Sequence, residues 1–150
     1  MTSYDEGPIT VPYEEPTADQ QADWQHQAEL SDYITNVVAH LKQEVAAVEQ
    51  SASILAATAD SSTREEFESL AGHCSALSQQ GYQAAADLTQ HGVQDWVYSV
   101  KACNEVGYWA NSAAAHAQSA VNSDSPTEIH GYLDSAHNDL TNAAASINGA

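Results

Sequence analysis

Positive charge is almost absent from this chain of 150 residues. Three Lys or Arg stand against 21 Asp or Glu, which gives a formal net charge of −18. Because proteins bind nucleic acid and anionic membrane surfaces through basic patches, this balance excludes direct binding to either. It also predicts that any charged partner presents a basic surface.

Long apolar runs are absent as well. No run approaches the roughly 20 residues of a membrane-spanning helix. Residues 1–16 carry acids and prolines where a signal peptide has a basic segment followed by an apolar one. We therefore expect a soluble protein without membrane insertion or a leader, which is cytoplasmic, exported without a leader or associated with a virion.

Cysteine is scarce and lacks the spacing of a metal site. Cys74 and Cys103 stand far apart, and no C-x-x-C occurs. Neither a disulfide framework nor a cysteine zinc site is indicated. Their positions on two different apolar seams predict two separate, reduced thiols in the core.

Proline does not occur between residues 17 and 125, and the apolar residues there recur in steps of three and four. This period is typical of helices, and no segment alternates with the period of a strand. The pattern predicts helices over 17–60, 62–91, 93–122 and 126–148. The expected fold is all-α, a mostly antiparallel four-helix bundle with a long first helix and an extended acidic N-terminal arm.

Helix starts and packing add detail to this fold. Capping-box spacing occurs at three places, namely Thr17 with Gln20, Ser62 with Glu65, and Ser125 with Glu128. A hairpin of helices two and three that turns near residue 92 places Gly81 near Cys103 and Trp96 opposite Leu88. Residues 17–28 are polar, and we expect them either to continue helix one or to fold back as a separate helix.

The sequence motifs that commonly mark enzymes are missing, including nucleotide-binding glycine loops and the H-E-x-x-H zinc motif. The strongest metal candidate is the set His130, Asp134 and His137, whose side chains fall within about 60° on one helix. No second helix is marked as the source of a fourth ligand, so solvated or structural histidines are the favoured interpretation. We expect no cofactor.

Large aromatic residues on helix three are more informative about function than the metal candidate. With Trp96, Val100 and Cys103 turned inward, Tyr98 and Trp109 face outward and Tyr108 lies at the margin. Trp and Tyr concentrate binding energy at protein interfaces. These residues are therefore candidates for a partner or self-association surface, although they could equally cover their own helix.

The N-terminal arm, residues 1–16, contains a short motif twice. The motif consists of a tyrosine, two acids and a proline, and it begins at Tyr4 and at Tyr13. The arm lacks a hydrophobic pattern and is expected to be flexible. It is either a solubilising leader or a pair of anchors for a basic groove. Trp24 belongs to the acidic extension that follows it.

These features favour a non-enzymatic interaction or assembly protein that acts through the arm and the outer aromatic face of helix three. The expected partner is a protein, with a homo-oligomer or larger assembly as a further possibility. One alternative is an acidic decoy that occupies the nucleic-acid site of a basic protein. A metal-binding helical bundle is the third.

Overall fold

The computed structural model describes residue 15 and residues 17–150 of the chain. Within them there is no strand, and the elements are α1 Ala18–Ala57, a 3₁₀ turn Ala59–Ser61, α2 Arg64–Gln90, α3 Tyr98–Asn122 and α4 Pro126–Asn148. The prediction of an all-α fold with four packed helices and a long first helix is confirmed. The arm, apart from Glu15, lies outside the described residues.

The chain divides into two units, Met1–Ser31 and Asp32–Ala150, and the boundary falls inside α1. Residues 18–29 of the first unit are helical and exposed. They continue helix one, so the alternative of a separate folded-back helix is wrong. That residues 17–150 form one domain stays a prediction. In the described part of the chain, no helix combines the length and the apolar character that crossing a bilayer requires.

Side-chain capping sets the helix starts. At α1, Thr17 N donates to Gln20 Oε1 and Gln20 N donates to Thr17 Oγ1, the two reciprocal bonds of a capping box. At α4, Glu128 N donates to the Ser125 hydroxyl, as the sequence predicts.

The start of α2 is displaced by one residue from the predicted capping box. Thr63 is the cap, because the Ser62 hydroxyl instead donates to the Thr58 carbonyl at 2.7 Å and closes the 3₁₀ turn.

The link from α2 to α3 is longer than the sequence pattern predicts. Gly92 has φ of 96°, and Val93 N donates to the Leu88 carbonyl at 3.0 Å. This is a Schellman motif, which stops α2. A second turn then brings Val97 N to the Gln94 carbonyl, so α3 begins at Tyr98 rather than at residue 93.

The α2–α3 hairpin is packed closely enough for its backbones to touch. A Cβ added at Gly81 would lie 2.6 Å from Gly107 N and 2.8 Å from the Cys103 carbonyl oxygen. The buried Ser78 hydroxyl donates to the Gly107 carbonyl at 2.8 Å. This confirms the predicted pairing of Gly81 with Cys103 and shows that the contact admits no side chain.

The core is filled from all four helices. Its largest fully buried side chains are Leu41, Val45, Cys74, Leu77, Leu88, Val100, Cys103, Val106, Leu133, Leu140 and Ile147. Since α3 packs against both α2 and α4, it is buried over a wide arc, and many of the residues on that arc are alanine. This arc determines which of its aromatic residues remain at the surface.

Candidate interaction surface on helix three

Tyr108 is the aromatic residue of α3 that faces outward most fully, with 60% of its area exposed. Its ring meets the Trp109 ring edge to face, with centroids 5.0 Å apart and planes at 78°. Across the hairpin, the exposed Tyr82 of α2 lies over Gly107, since a Cβ there would come within 2.8 Å of the Tyr82 ring. We call Tyr82, Tyr108 and Trp109 the aromatic surface.

Trp109 and Tyr98 lie nearer to α4 than the sequence predicts. Trp109 is half-buried. Glu105, one turn before it, accepts a hydrogen bond from the Ser146 hydroxyl at 2.8 Å, and the Tyr98 hydroxyl lies 2.9 Å from where a Cβ on Gly149 would stand. Tyr98 is exposed as predicted but borders α4, Trp109 is less exposed than predicted, and Tyr108, which the sequence places at the margin, is the most exposed of the three.

Trp96 is the exception among the residues of helix three predicted to face inward, since Val100 and Cys103 are buried as expected. We expected it to point inward opposite Leu88, yet it lies in the turn before α3 and is 69% exposed. The spacing of Val93, Trp96 and Val100 has a helical period by coincidence. A phase taken from one seam also ignores the second neighbour, α4, which widens the buried arc.

The remaining predicted partner-binding residues belong to the first unit. Trp24 is 57% exposed on the N-terminal half of α1. Tyr4 and Tyr13 lie outside the described residues. Whether these three residues, or Tyr98, Tyr108 and Trp109, bind a partner stays a prediction.

The metal candidate set is not assembled into a site. His130 Nε2 lies 2.8 Å from Asp60 Oδ1, which ties α4 to the 3₁₀ turn. Asp134 is exposed and His137 half-buried. Among the described residues, no group of three His, Cys, Asp or Glu side chains could hold a metal ion. The contact between His130 and Asp60 fits a structural role, in which a histidine and a carboxylate join α4 to the 3₁₀ turn.

A histidine–carboxylate pair that the sequence reasoning missed joins α3 to α4. His116 Nδ1 lies 2.8 Å from Asp139 Oδ2, and Asp139 is only 8% exposed. A signal was available in the sequence, because Asp139 stands one turn from both Ala136 and Ala143 of the α4 seam. A carboxylate at a seam position needs a buried hydrogen-bond partner.

Both cysteines are buried, unpaired thiols, as the sequence predicts. Burial, with a smaller contribution from the charge of Asp139, raises the pKa of Cys74 to about 12, and burial raises the pKa of Cys103 to about 11. Because the thiolate is the reactive form, neither group is a nucleophile near neutral pH.

No protein-family model, curated protein or solved structure matches this chain.

Proposed function

We propose that the protein is a non-enzymatic interaction or assembly protein, which binds a basic protein partner through the aromatic surface and its acidic N-terminal arm. The observation that carries the proposal is Tyr108, a large aromatic side chain left 60% exposed in ring contact with Trp109, while the exposed Tyr82 lies over the adjacent Gly107. Tyr and Trp are enriched among the few residues that supply most of the binding energy at protein interfaces.

The composition around Tyr108 supports this role. One turn to either side on α3 stand Asn104 and Asn111, both exposed and uncharged. An aromatic centre with a polar rim is the usual anatomy of a protein interface. The net charge of −18 would attract a basic partner over a distance and orient it before contact.

The arm supplies the second contact in this proposal. Tyr4 and Tyr13 each begin a copy of the same acidic motif, which ends in proline. Two weak contacts on one tether strengthen each other, because the first raises the effective concentration of the second. The acids contribute attraction that salt weakens, since charge interactions are screened within about 8 to 10 Å at physiological ionic strength.

Replacing Tyr108 with serine is expected to weaken partner binding about 30-fold. Truncating an aromatic residue at the centre of an interface typically costs about 2 kcal/mol of binding free energy, which corresponds to that change in affinity. The melting temperature should stay nearly unchanged, because the side chain is mostly exposed. The partner is first recovered from the native host on the full chain and identified by mass spectrometry. Its affinity is then measured for the wild type, Tyr108→Ser and a chain lacking residues 1–16, which should also bind more weakly.

Tyr108→Phe is the matched control, because it keeps the ring and removes only the hydroxyl. It should bind nearly as well as the wild type. Equal affinity of Tyr108→Ser and the wild type would place the contact elsewhere. A large fall in melting temperature for Tyr108→Ser would mean that the residue supports the fold instead.

A further inference from the structure

A continuous groove runs between α1 and α2, on residues separate from the aromatic surface. Its largest part is a cavity of about 750 Å³ bounded at one end by Tyr33. Two smaller cavities of about 330 and 280 Å³ continue it along the same two helices. Neighbouring cavities share lining residues, Ala76 and Gln80 for the first pair, so the three form one channel.

The groove exists because α1 lies farther from α2 than α3 does, and two alanines on the α2 side leave part of that space unfilled. Ala76 and Ala84 are too small to fill the space beside Val37 and Leu41, whereas at Gly81 the α2 and α3 backbones touch. From Tyr33 to Ile54, the α1 side of the groove measures about 32 Å at 1.5 Å per residue. That length suits one helix of about 21 residues.

The floor of the groove is apolar and its far end is open to solvent. Leu41, Leu77 and Leu70 are buried beneath it, while Ile54 remains 56% exposed at its rim. An apolar channel of this length matches the apolar face of an amphipathic helix. Ile54 is a large apolar side chain that such a helix would cover.

The charge of the rim selects among possible occupants. Glu44, Glu66 and Asp87 line the groove, together with His40 and His73. The three cationic side chains of the chain, at positions 42, 64 and 101, are not among the lining residues. An acidic occupant would be repelled, which disfavours both the chain's own acidic arm and a second copy with a net charge of −18.

We propose that the groove between α1 and α2 receives a basic amphipathic helix of a partner protein. This goes beyond the proposed function, because it assigns a second surface and states the chemistry of what that surface binds. The apolar face of the incoming helix covers Ile54 and the leucine floor, and its Lys or Arg residues meet Glu44, Glu66 and Asp87.

The test uses the full chain and three synthetic helical peptides of about 21 residues, matched to the groove in length. All three carry leucine at the same positions, and their polar positions are Lys, Gln or Glu. Fluorescence anisotropy at physiological ionic strength gives the affinities. The Lys peptide is expected to bind at least about tenfold more tightly than the Gln peptide, and the Glu peptide not at all.

A charge-matched pair of variants separates the groove from the general acidity of the surface. Ala76→Arg places a long cation in the middle of the groove, and Ala86→Arg adds the same charge at an exposed position of α2 that does not line it. The Lys peptide should lose about tenfold or more in affinity for the first and less than about twofold for the second. Gln80→Arg, which also lines the groove, replaces Ala76→Arg if that variant melts early.

Three results would overturn the proposal. Equal losses for the groove variant and the Ala86→Arg control would mean that the peptide binds the acidic surface at large. Tighter peptide binding after removal of residues 1–16 would make the arm the occupant. A wild-type dimer in analytical ultracentrifugation that dissociates on Ala76→Arg would make a second copy the occupant.

Discussion

Alanine at position 81 is expected to lower the free energy of unfolding by about 3 kcal/mol, at the upper end of the usual cost of overpacking. The added Cβ would meet backbone atoms, Gly107 N at 2.6 Å and the Cys103 carbonyl oxygen at 2.8 Å. A backbone cannot rotate away as a flexible side chain can, so α3 itself must shift. Chemical denaturation of Gly81→Ala measures the loss, and the melting temperature should fall by roughly 10 °C.

Gly72 provides the matched control on the same helix. It is exposed, and a Cβ there would meet nothing within 4 Å. Gly72→Ala should therefore stabilise the protein by about 0.5 to 1 kcal/mol, since alanine is the better helix former. If the two substitutions change stability equally, α2 and α3 are not in close contact at Gly81.

Stability is expected to fall between pH 8 and pH 10 by about 1.4 kcal/mol for each of the two thiols. The folded pKa values of about 12 for Cys74 and about 11 for Cys103 lie above the ordinary value of 9.0. Above pH 9 the unfolded chain releases these protons and the folded chain keeps them. The unfolded state then binds fewer protons, so the free energy of unfolding decreases as pH rises.

The double variant Cys74→Ala, Cys103→Ala isolates this effect. It should be less stable than the wild type at pH 8, because each truncation in the core costs roughly 1 to 2 kcal/mol. Its further loss up to pH 10 should be smaller than that of the wild type by about 3 kcal/mol, the contribution of both thiols. Parallel pH profiles of the two proteins would show that the thiols ionise freely in the folded state.

The α2–α3 pairing could be predicted from sequence because two helices can approach closely only where one of them has a small side chain. Gly81 is the small residue that permits close approach, and the prediction placed it beside Cys103, where the structure has it. The start of α4 could also be predicted, since Ser125 is a capping residue and Pro126 occupies the first turn of the helix. Such signals are local, or depend on a single pair of facing helices.

The features missed depend on tertiary contacts that no local sequence pattern specifies. The predicted start of α3 was wrong because a turn that contains Trp96 precedes the helix, and the half-burial of Trp109 was missed because α3 packs against α4 as well as α2. The His116–Asp139 pair joins residues far apart in the chain. The groove reflects the distance between α1 and α2, which the periodicity of either helix alone does not specify.

Site-specific photo-crosslinking at position 108 tests the central proposal, that the aromatic surface binds a protein. A benzophenone amino acid replaces Tyr108 in one chain and the exposed Gln43 of α1 in another, and each is irradiated in extract of the native host. We predict one discrete protein adduct from position 108, suppressed by excess wild-type protein and not by excess Tyr108→Ser, and no such adduct from position 43. The same adducts from both positions, or equal competition by the wild type and Tyr108→Ser, would contradict it.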